Sequence, residues 1–538
     1  MDLGHLGNGG PPRIGNLAVR QFSTVEPRIG FGLALLVLYF GFVGYSAFHD
    51  WLLGYSRWNW LFNAVIASPL LYFWAKLMKP TGPSERHGSS RYSEAGDLLR
   101  AGLLGTEGLI IGKIREGHFL RFNEDAHLFT FAPTGAGKGV SQVIPNLLDH
   151  PGSLVCTDIK GENYAITQRR RAAFGPVFAL DPFHLQVRET ACFNPMDFIR
   201  LGTPYARDDA KMLAQMIVPE GAEGTNNRFF ATAAQNLLTG LILHVAGSEL
   251  GEQRNLITVR RFLTADRDDF ALLIRTMKGS ANPAVVEVAN RYQQMLGDDP
   301  KLAQNIITTA VEHTDFLASE AVGRLLRRSD FHAEDLKRRV ISVFMIIPPD
   351  QLGVYYQLLR LFIGCFCNAL SRTQGAPAQR VLFMLDEFPA LRRMEPIEKA
   401  IAYARGYGGR FWLIAQDLNQ MRGTYGDWAK SLIANCRCKS AFGIADLETA
   451  RELSAMMGQT TIITESKSRS SGASGAFTGT RSESTGEAAR ALLYPDEVMR
   501  LPATEEIVMI PGMPPIRCRK ARYYADPAFA GLYDSWNG

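Results

Sequence analysis

The apolar positions of this chain fall into three regimes along its length. Residues 29–48 and 58–75 are runs without a charged side chain. Each is close to the 20 or so residues a helix needs to cross about 30 Å of hydrocarbon. Trp51, Trp58, Trp60, Tyr72 and Trp74 cluster near their ends, where amphipathic rings favour the headgroup level. From residue 127 onward the apolar runs shorten, to 127–132, 153–157, 177–180, 340–347, 381–385, 411–415 and 439–444, with a last pair at 507–510 and 517–524. Short buried runs separated by helical stretches predict a parallel sheet covered by helices. Between about 206 and 336 this pattern stops. There Ala234, Leu237, Leu238, Leu241, Ile242 and Val245 recur at helical spacing, one apolar face of an amphipathic helix.

These regimes predict an N-terminal arm over 1–28, a two-span transmembrane anchor over 29–78, a nucleotide-binding domain in two parts (79–200 and 337–538), and an inserted all-α domain over 201–336. No segment beyond residue 80 is expected to span a membrane. Residues 465–486 are rich in Ser, Gly and Thr and poor in large apolar side chains, so a mobile loop is expected there. Arg13, Arg20 and Arg28 precede the first span, and Lys76, Lys79, Arg86 and Arg91 follow the second. The link between them carries only Asp50 and Arg57. That bias places both ends in the cytoplasm. A cleaved signal peptide fits poorly, because the polar arm is long and a second span follows at once.

Charge and cysteine content change this picture little. Against 53 acidic residues stand 58 Lys and Arg, a net charge of +5, compatible with a nucleic-acid partner without announcing one. The seven cysteines form no C-x-x-C pair and no zinc-like spacing, so they read as small hydrophobes in a reducing compartment. The basic clusters Arg169-Arg170-Arg171, Arg260-Arg261 and 517–522 could touch phosphate backbones, although such runs are more often solvated faces.

The chemistry concentrates in two motifs. Ala132-Pro133-Thr134-Gly135-Ala136-Gly137-Lys138-Gly139, followed by Val140, joins a predicted strand to a helical segment. In such a phosphate-binding loop the glycines let successive N–H groups curl around a phosphate at a helix N-terminus, and the lysine reaches the β- and γ-phosphates of ATP. Ala132 stands where a first glycine is usual. Gly139 replaces the Ser or Thr whose hydroxyl holds Mg2+. By itself this could be a Gly-rich turn and nothing more. The second motif decides against that reading. Residues 381–385 form a buried strand delivering Asp386 and Glu387 at its C-terminal end, where Mg2+ and the attacking water belong in P-loop enzymes. Asp386 is expected to hold Mg2+ and Glu387 to orient or deprotonate the water. Gln416, at the end of the next strand, is read as a γ-phosphate sensor, with a plain polar cap on the strand end as the alternative.

With those motifs in order, the chain resembles the coupling proteins of type IV secretion and bacterial conjugation, RecA-like ring ATPases distantly similar to chromosome-segregation DNA translocases. The resemblance runs from about residue 88 to 529 and includes the anchor. It rests on Gly137-Lys138-Gly139, Asp158-x-Lys160-Gly161-Glu162, Leu385-Asp386-Glu387-Phe388, Ile414-Ala415-Gln416-Asp417 and Pro514-Pro515-Ile516-Arg517. It implies a RecA-like P-loop α/β domain with an all-α insert, a homo-hexamer around a channel, ATP and Mg2+ as cofactors, and residence in the bacterial inner membrane with the bulk of the chain cytoplasmic. Gly139 is then a habit of the family. The implied partners are secretion-channel ATPases and inner-membrane components, a relaxase–DNA complex or effector proteins, and single- or double-stranded DNA bound without sequence specificity. Arg405 matches the position where the family supplies an arginine to the neighbour's phosphates, with Arg410 close enough to take that role and an ordinary solvated arginine as the alternative for both. Two other readings stand beside a coupling ATPase: a double-stranded DNA pump of the chromosome-segregation type, and a docking receptor switched by nucleotide without transport work.

Overall fold

The computed structural model describes residues 85–114, 117–219, 225–248, 251–470 and 480–536, with a few helical positions between 41 and 52. Apart from those few positions, the two expected spans lie outside the described residues. Residues 1–84 and 85–538 are separate compact units, and the second carries the sheet and the candidate site.

Its strands are β1 (Leu109–Lys113), β2 (Phe119–Phe122), β3 (His127–Phe131), β4 (Leu154–Asp158), β5 (Val177–Leu180), β6 (Ser342–Ile346), β7 (Val381–Leu385), β8 (Gly409–Ala415), β9 (Cys436–Ala441), β10 (Gln459–Ser470), β11 (Thr480–Ala491), β12 (Glu505–Met509) and β13 (Ile516–Arg519). Eleven of them form one sheet in the order β2-β1-β13-β12-β9-β3-β8-β7-β4-β6-β5. From β9 to β5 all neighbours are parallel. β12, β13, β1 and β2 extend that sheet in antiparallel fashion. The central strands are buried on both faces and divide their side chains with period two, as a pleat requires. Val381, Phe383 and Leu385 of β7, with Phe411, Leu413 and Ala415 of β8, enter one core cluster. Leu382, Met384, Trp412 and Ile414 enter the other. β1 and β2, which the hydrophobic runs did not predict, are short strands at one edge.

Between β5 and β6 the regular elements are all helical, and their apolar faces join the first cluster, not a core of their own. Ala234, Leu237, Leu238, Leu241, Ile242 and Val245 are all fully buried, on the helix Thr225–Ser248. Within it Arg228–Ser248 is long and apolar enough to cross a membrane, contrary to expectation, but 78% of that window is buried inside the fold. Its hydrophobicity is that of a core helix. Asp209, buried, ties this region to the sheet layer: it accepts from Arg200 at 2.8 Å and pairs with Arg372 of the helix Pro349–Arg372.

Residues 465–486 depart from expectation too. β10 and β11 pair in continuous antiparallel register from Gln459↔Ala491 to Ser470↔Thr480, and 471–479 lie outside the described residues. The sequence lacks core-forming side chains here, but a ladder needs only backbone groups, and β-branched Thr460, Thr461, Ile462, Ile463 and Thr464 favour extended backbone. The base is fixed where Ser90 N–H donates to the Gln459 carbonyl at 2.9 Å and the Thr461 hydroxyl donates to the Gly88 carbonyl at 3.1 Å.

The basic clusters are mostly structural. Arg171 is fully buried. Its guanidinium donates to the Ser342 hydroxyl at 2.9 Å, to the carbonyl of Gly152 at 2.6 Å and to that of His150. These bonds close the polar ends of β4 and β6, and burial pushes the Arg171 pKa down to about 9. Arg260 is spent on the carbonyl of Val311 at 2.9 Å and on Asp315.

A second buried polar seam lies under the phosphate loop. Gln142 accepts from the Thr130 hydroxyl at 2.7 Å and donates to Ser440 at 2.9 Å and to Glu506 at 2.8 Å. Trp412 donates its indole N–H to Thr130 at 2.9 Å. Glu506 is fully buried, its Oε1 has no partner, and burial pushes its pKa up to about 8.

Two stability predictions follow from these buried groups. Arg171→Met strands at least three acceptors and should cost about 3 kcal/mol, read as a lowered urea midpoint by tryptophan fluorescence. Glu506 holds its proton in the folded state to about pH 8 but releases it near 4.5 when unfolded. The folded state therefore binds more protons between these values, and stability falls as pH rises through that window. Asp158, raised to about 7 by burial, acts in the same direction. Urea midpoints measured from pH 5 to 8 should decline in the parent and decline less in Glu506→Gln.

Candidate nucleotide site

Three neighbouring parallel strands, β3, β8 and β7, end at one edge of the sheet, and each delivers part of a constellation. After β3 the chain turns through residues 132–139 into a π-helical turn, Gly139–Val143, continued by the helix Ile144–Asp149. Ala132 is fully buried and its N–H donates to the Ala415 carbonyl at 2.9 Å. A small residue seated in the sheet thus replaces the usual first glycine. Thr134 and Gly135 are exposed, and 136–140 are half-buried. Gly135 and Gly137 take φ of +81° and +87°, a region that L side chains rarely enter. An added Cβ at Gly135 or Gly139 would meet no atom within 4 Å. The loop is therefore an open cradle of backbone at a helix start, the shape a phosphate chain requires. Ser141, one turn on, uses its hydroxyl to bond the Gly137 carbonyl at 2.8 Å.

Lys138 ends 2.9 Å from Asp386 Oδ1 and also pairs with Glu387 Oε1. Gln416, just beyond β8, donates its amide to the other oxygen of Glu387 at 3.1 Å. The residues read from sequence as loop lysine, metal carboxylate, water-handling carboxylate and sensor thus form one hydrogen-bonded cluster. β8 lies between β3 and β7, which brings Gln416 within reach of the Glu387 carboxylate at the end of β7. Burial works against the Lys138 charge, but the two carboxylates outweigh it and its pKa lies above the ordinary lysine value. Burial raises the Asp386 pKa, and Lys138 offsets part of that rise. The Thr157 hydroxyl at the end of β4 donates to the Asp386 carbonyl at 3.0 Å, fixing the acidic pair from the far side. Asp158 accepts from the N–H of Tyr164 at 2.8 Å, so this member of its motif caps the start of the helix Glu162–Ala172. Carboxylates beside an open backbone cradle suit a hard divalent cation carried by a triphosphate.

Lys520 is a residue the sequence reading placed only within a basic run. Its ammonium donates to the Ala136 carbonyl of the loop at 2.8 Å and lies 4.5 Å from the centroid of the Phe442 ring. Burial lowers its pKa, partly offset by Glu506, and it makes no ion pair among the described residues. Nothing local signals this role, since 384 residues separate the two partners.

Arg405 and Arg410 lie away from this cluster, at the opposite, N-terminal edge of the strands. Arg405 is exposed in the turn Ala404–Tyr407, and its carbonyl accepts from Arg380 at 2.8 Å. Arg410 is buried and donates to the Glu124 carbonyl at 2.7 Å. Its pKa is drawn down to about 10 by burial and by Arg380. The structure separates the two candidates by accessibility.

Comparison with known proteins agrees with this architecture. The family described as type IV secretory system conjugative DNA transfer matches residues 91–533. The conjugal transfer protein TraG of Escherichia coli is 31% identical over 497 residues, covering 82% of this chain and 77% of TraG. Protein VirD4 of Rhizobium radiobacter is 31% identical over 506 residues, covering 90% of this chain and 71% of VirD4. Among solved structures, the unbound bacterial conjugative coupling protein TrwBdeltaN70 superposes with a TM-score of 0.59 at 17% identity, over 82% of this chain and 95% of that one. TrwB in complex with a non-hydrolysable ATP analogue gives 0.60 at 17% identity, over 84% and 97%. These two share the α/β fold with its mostly parallel sheet. With 443 consecutive residues inside the family match and 31% identity to TraG and VirD4 over the aligned residues, the chain belongs to the type IV secretory system conjugative DNA-transfer family.

Proposed function

We propose that this chain is an ATP-hydrolysing coupling protein of the bacterial inner membrane. In this reading it receives a relaxase–DNA complex or an effector protein and drives it toward a type IV secretion channel, working with the channel's ATPases and inner-membrane components. The observation that carries the reading is the convergence of Lys138, Asp386, Glu387 and Gln416 from the ends of three adjacent parallel strands. A receptor that only switches on nucleotide binding has no use for a carboxylate held by both the loop lysine and a sensor amide.

When bound, ATP with Mg2+ supplies the scissile phosphoanhydride and the charge neutralisation of its oxygens. The chain's own residues do the rest. The N–H groups of 135–140 bind phosphate oxygens, and Lys138 orients the terminal phosphates. Asp386 would hold Mg2+, and because Gly139 has no hydroxyl, water would take the place that a Ser or Thr side chain usually fills. Glu387 holds the attacking water and takes its proton. Gln416 fixes the Glu387 carboxylate from the side of β8. Lys520 steadies the loop through the Ala136 carbonyl and adds a cation close to the phosphates.

Arg405 faces away from its own loop, so its use as a catalytic cation requires a second copy. That agrees with the homo-hexamer that the family resemblance implies. Its exposure, against the burial of Arg410, favours Arg405 for that part. DNA recognition without base reading requires no more than a basic, sequence-tolerant lining.

ATP turnover of the intact chain in detergent or nanodiscs, with and without single-stranded and duplex DNA, tests the reading. Turnover should rise with DNA, and both Lys138→Ala and Glu387→Gln should fall by about 10²–10⁴-fold. ATP binding without turnover under ring-forming conditions would establish the receptor reading in its place. Arg405→Ala should lose about 10³-fold while still binding ATP. Mixing it with Glu387→Gln chains should restore part of the activity, because in mixed rings an intact Arg405 meets an intact Glu387. Mixed rings no more active than either variant alone would remove Arg405 from the trans role.

A further inference from the structure

A separate cavity of about 370 Å³ opens between the helix Ala206–Ile217, the helix Pro349–Arg372 and the segment that follows Glu387. Its charged lining is Arg360, Arg392, Arg393 and Lys399 against Glu395. These cations differ in how they are compensated. Arg393 is paired with Glu398 at 3.0 Å. Arg360 is buried, and its guanidinium bonds two neutral carbonyls, Met216 at 2.7 Å and Ile217 at 3.0 Å. Arg392 and Lys399 are exposed, and neither makes an ion pair among the described residues. The Arg392 guanidinium lies 4.2 Å from the centroid of the Tyr356 ring, and that of Arg360 lies 5.7 Å from the same ring. Tyr403 completes the aromatic wall. Uncompensated cations beside aromatic faces favour a ligand that carries both an anionic group and a flat ring.

Two features of the backbone connect this cavity to the nucleotide site. Among described non-glycine residues only His184, Glu387 and Arg392 have positive φ. The last two, at +52° and +55°, bracket the single 3₁₀ turn Phe388–Leu391. Such conformations persist only where the surroundings hold them. Here the Phe388 ring stacks on Tyr425 at 5.1 Å, and the Tyr425 hydroxyl donates to the Arg392 carbonyl at 3.1 Å. The other connection is the helix Pro349–Arg372, which leaves helical geometry at Tyr355, next to Tyr356. The cation and the ring that face each other in the cavity thus both stand on irregular backbone. A short, braced segment joins the cation to Glu387.

We propose that this cavity seats one nucleotide unit of a single strand, and that its occupancy is transmitted through 388–391 to Glu387. The phosphate lies on Arg392 and Lys399, and the base lies against Tyr356 and Tyr403. The volume admits one nucleotide and excludes a duplex, whose bases are stacked and paired. An acidic peptide would satisfy the cations but leave the two rings without a planar partner. The proposal deepens the ATPase reading above, naming where the cargo strand meets the motor, and it rests on that reading for the transmission to Glu387.

The test is binding of fluorescein-labelled oligothymidylate to the intact chain across a salt series, alongside ATP turnover. Arg392→Ala should weaken the oligonucleotide roughly tenfold and lower the salt slope by about one, as the loss of one phosphate contact requires. Arg392→Lys should restore the slope by restoring the charge. Tyr356→Leu should weaken binding roughly tenfold with the slope unchanged, the mark of lost stacking. A far-UV spectrum and melting curve like the parent's identify variants that fold. Unchanged affinity and slope in folded Arg392→Ala overturn the proposal, as does competition by an acidic peptide equal to that of the oligonucleotide. Free thymidine monophosphate competing as well as the strand would give the cavity to a soluble nucleotide and overturn the strand assignment. If binding falls as expected but the parent never turns over ATP, the cavity stands and the ATPase reading fails.

Discussion

The ammonium of Lys138, shared between Asp386 and Glu387, is the interaction around which the rest of this structure is arranged. The lysine and its two partners come from chain segments 249 residues apart. They meet because parallel strands in one sheet all present their C-terminal ends at the same edge. A parallel sheet must be covered on both faces. That need accounts for the two apolar clusters flanking the central strands, and for the helical region that buries its faces against one of them. The seam of Thr130, Gln142, Ser440 and Glu506 beneath the loop has the same origin: polar groups that follow the loop inward must find partners where water does not reach.

The sheet also separates the two kinds of charge that the proposed chemistry would use. Lys138, Asp386, Glu387 and Gln416 occupy the C-terminal edge. Arg405 and the cavity around it, about 500 Å³ and lined also by Arg121, Asp149 and Arg380, occupy the N-terminal edge. No bending of a seven-strand parallel core brings one edge to the other within a chain. A site needing both edges needs two chains, and this is the structural basis for proposing a ring.

Much of this was legible in order along the sequence, because strand and loop chemistry are local. β7 reads as Val-Leu-Phe-Met-Leu closed by Asp-Glu, and all five apolar residues are buried. The six periodic residues of the helix Thr225–Ser248 are buried as their spacing demands. Local reading failed where the determining partner is remote. Residues 465–486 lack apolar bulk, yet β10 and β11 form from backbone pairing that composition does not report. Arg171 resembles its solvated neighbours in the sequence, but three acceptors on other segments take it inside. Lys520 sits in a run of basic residues, and only the antiparallel extension by β12 and β13 brings it to the Ala136 carbonyl.

The sequence by itself determined the alternation of buried strands and helices, the candidate phosphate loop and acidic pair, and the kinship these motifs carry. Side-chain periodicity and backbone demands such as the positive φ of Gly135 and Gly137 are properties of a few adjacent residues. Only the tertiary structure decided strand order, and with it that Gln416 meets the same Glu387 carboxylate that Lys138 holds, that Arg405 is exposed while Arg410 is buried, and that Arg392 packs on Tyr356 in the wall of a cavity. Those facts depend on which distant segments pair, and pairing is selected by the summed burial and hydrogen bonding of the whole sheet, which no local window contains.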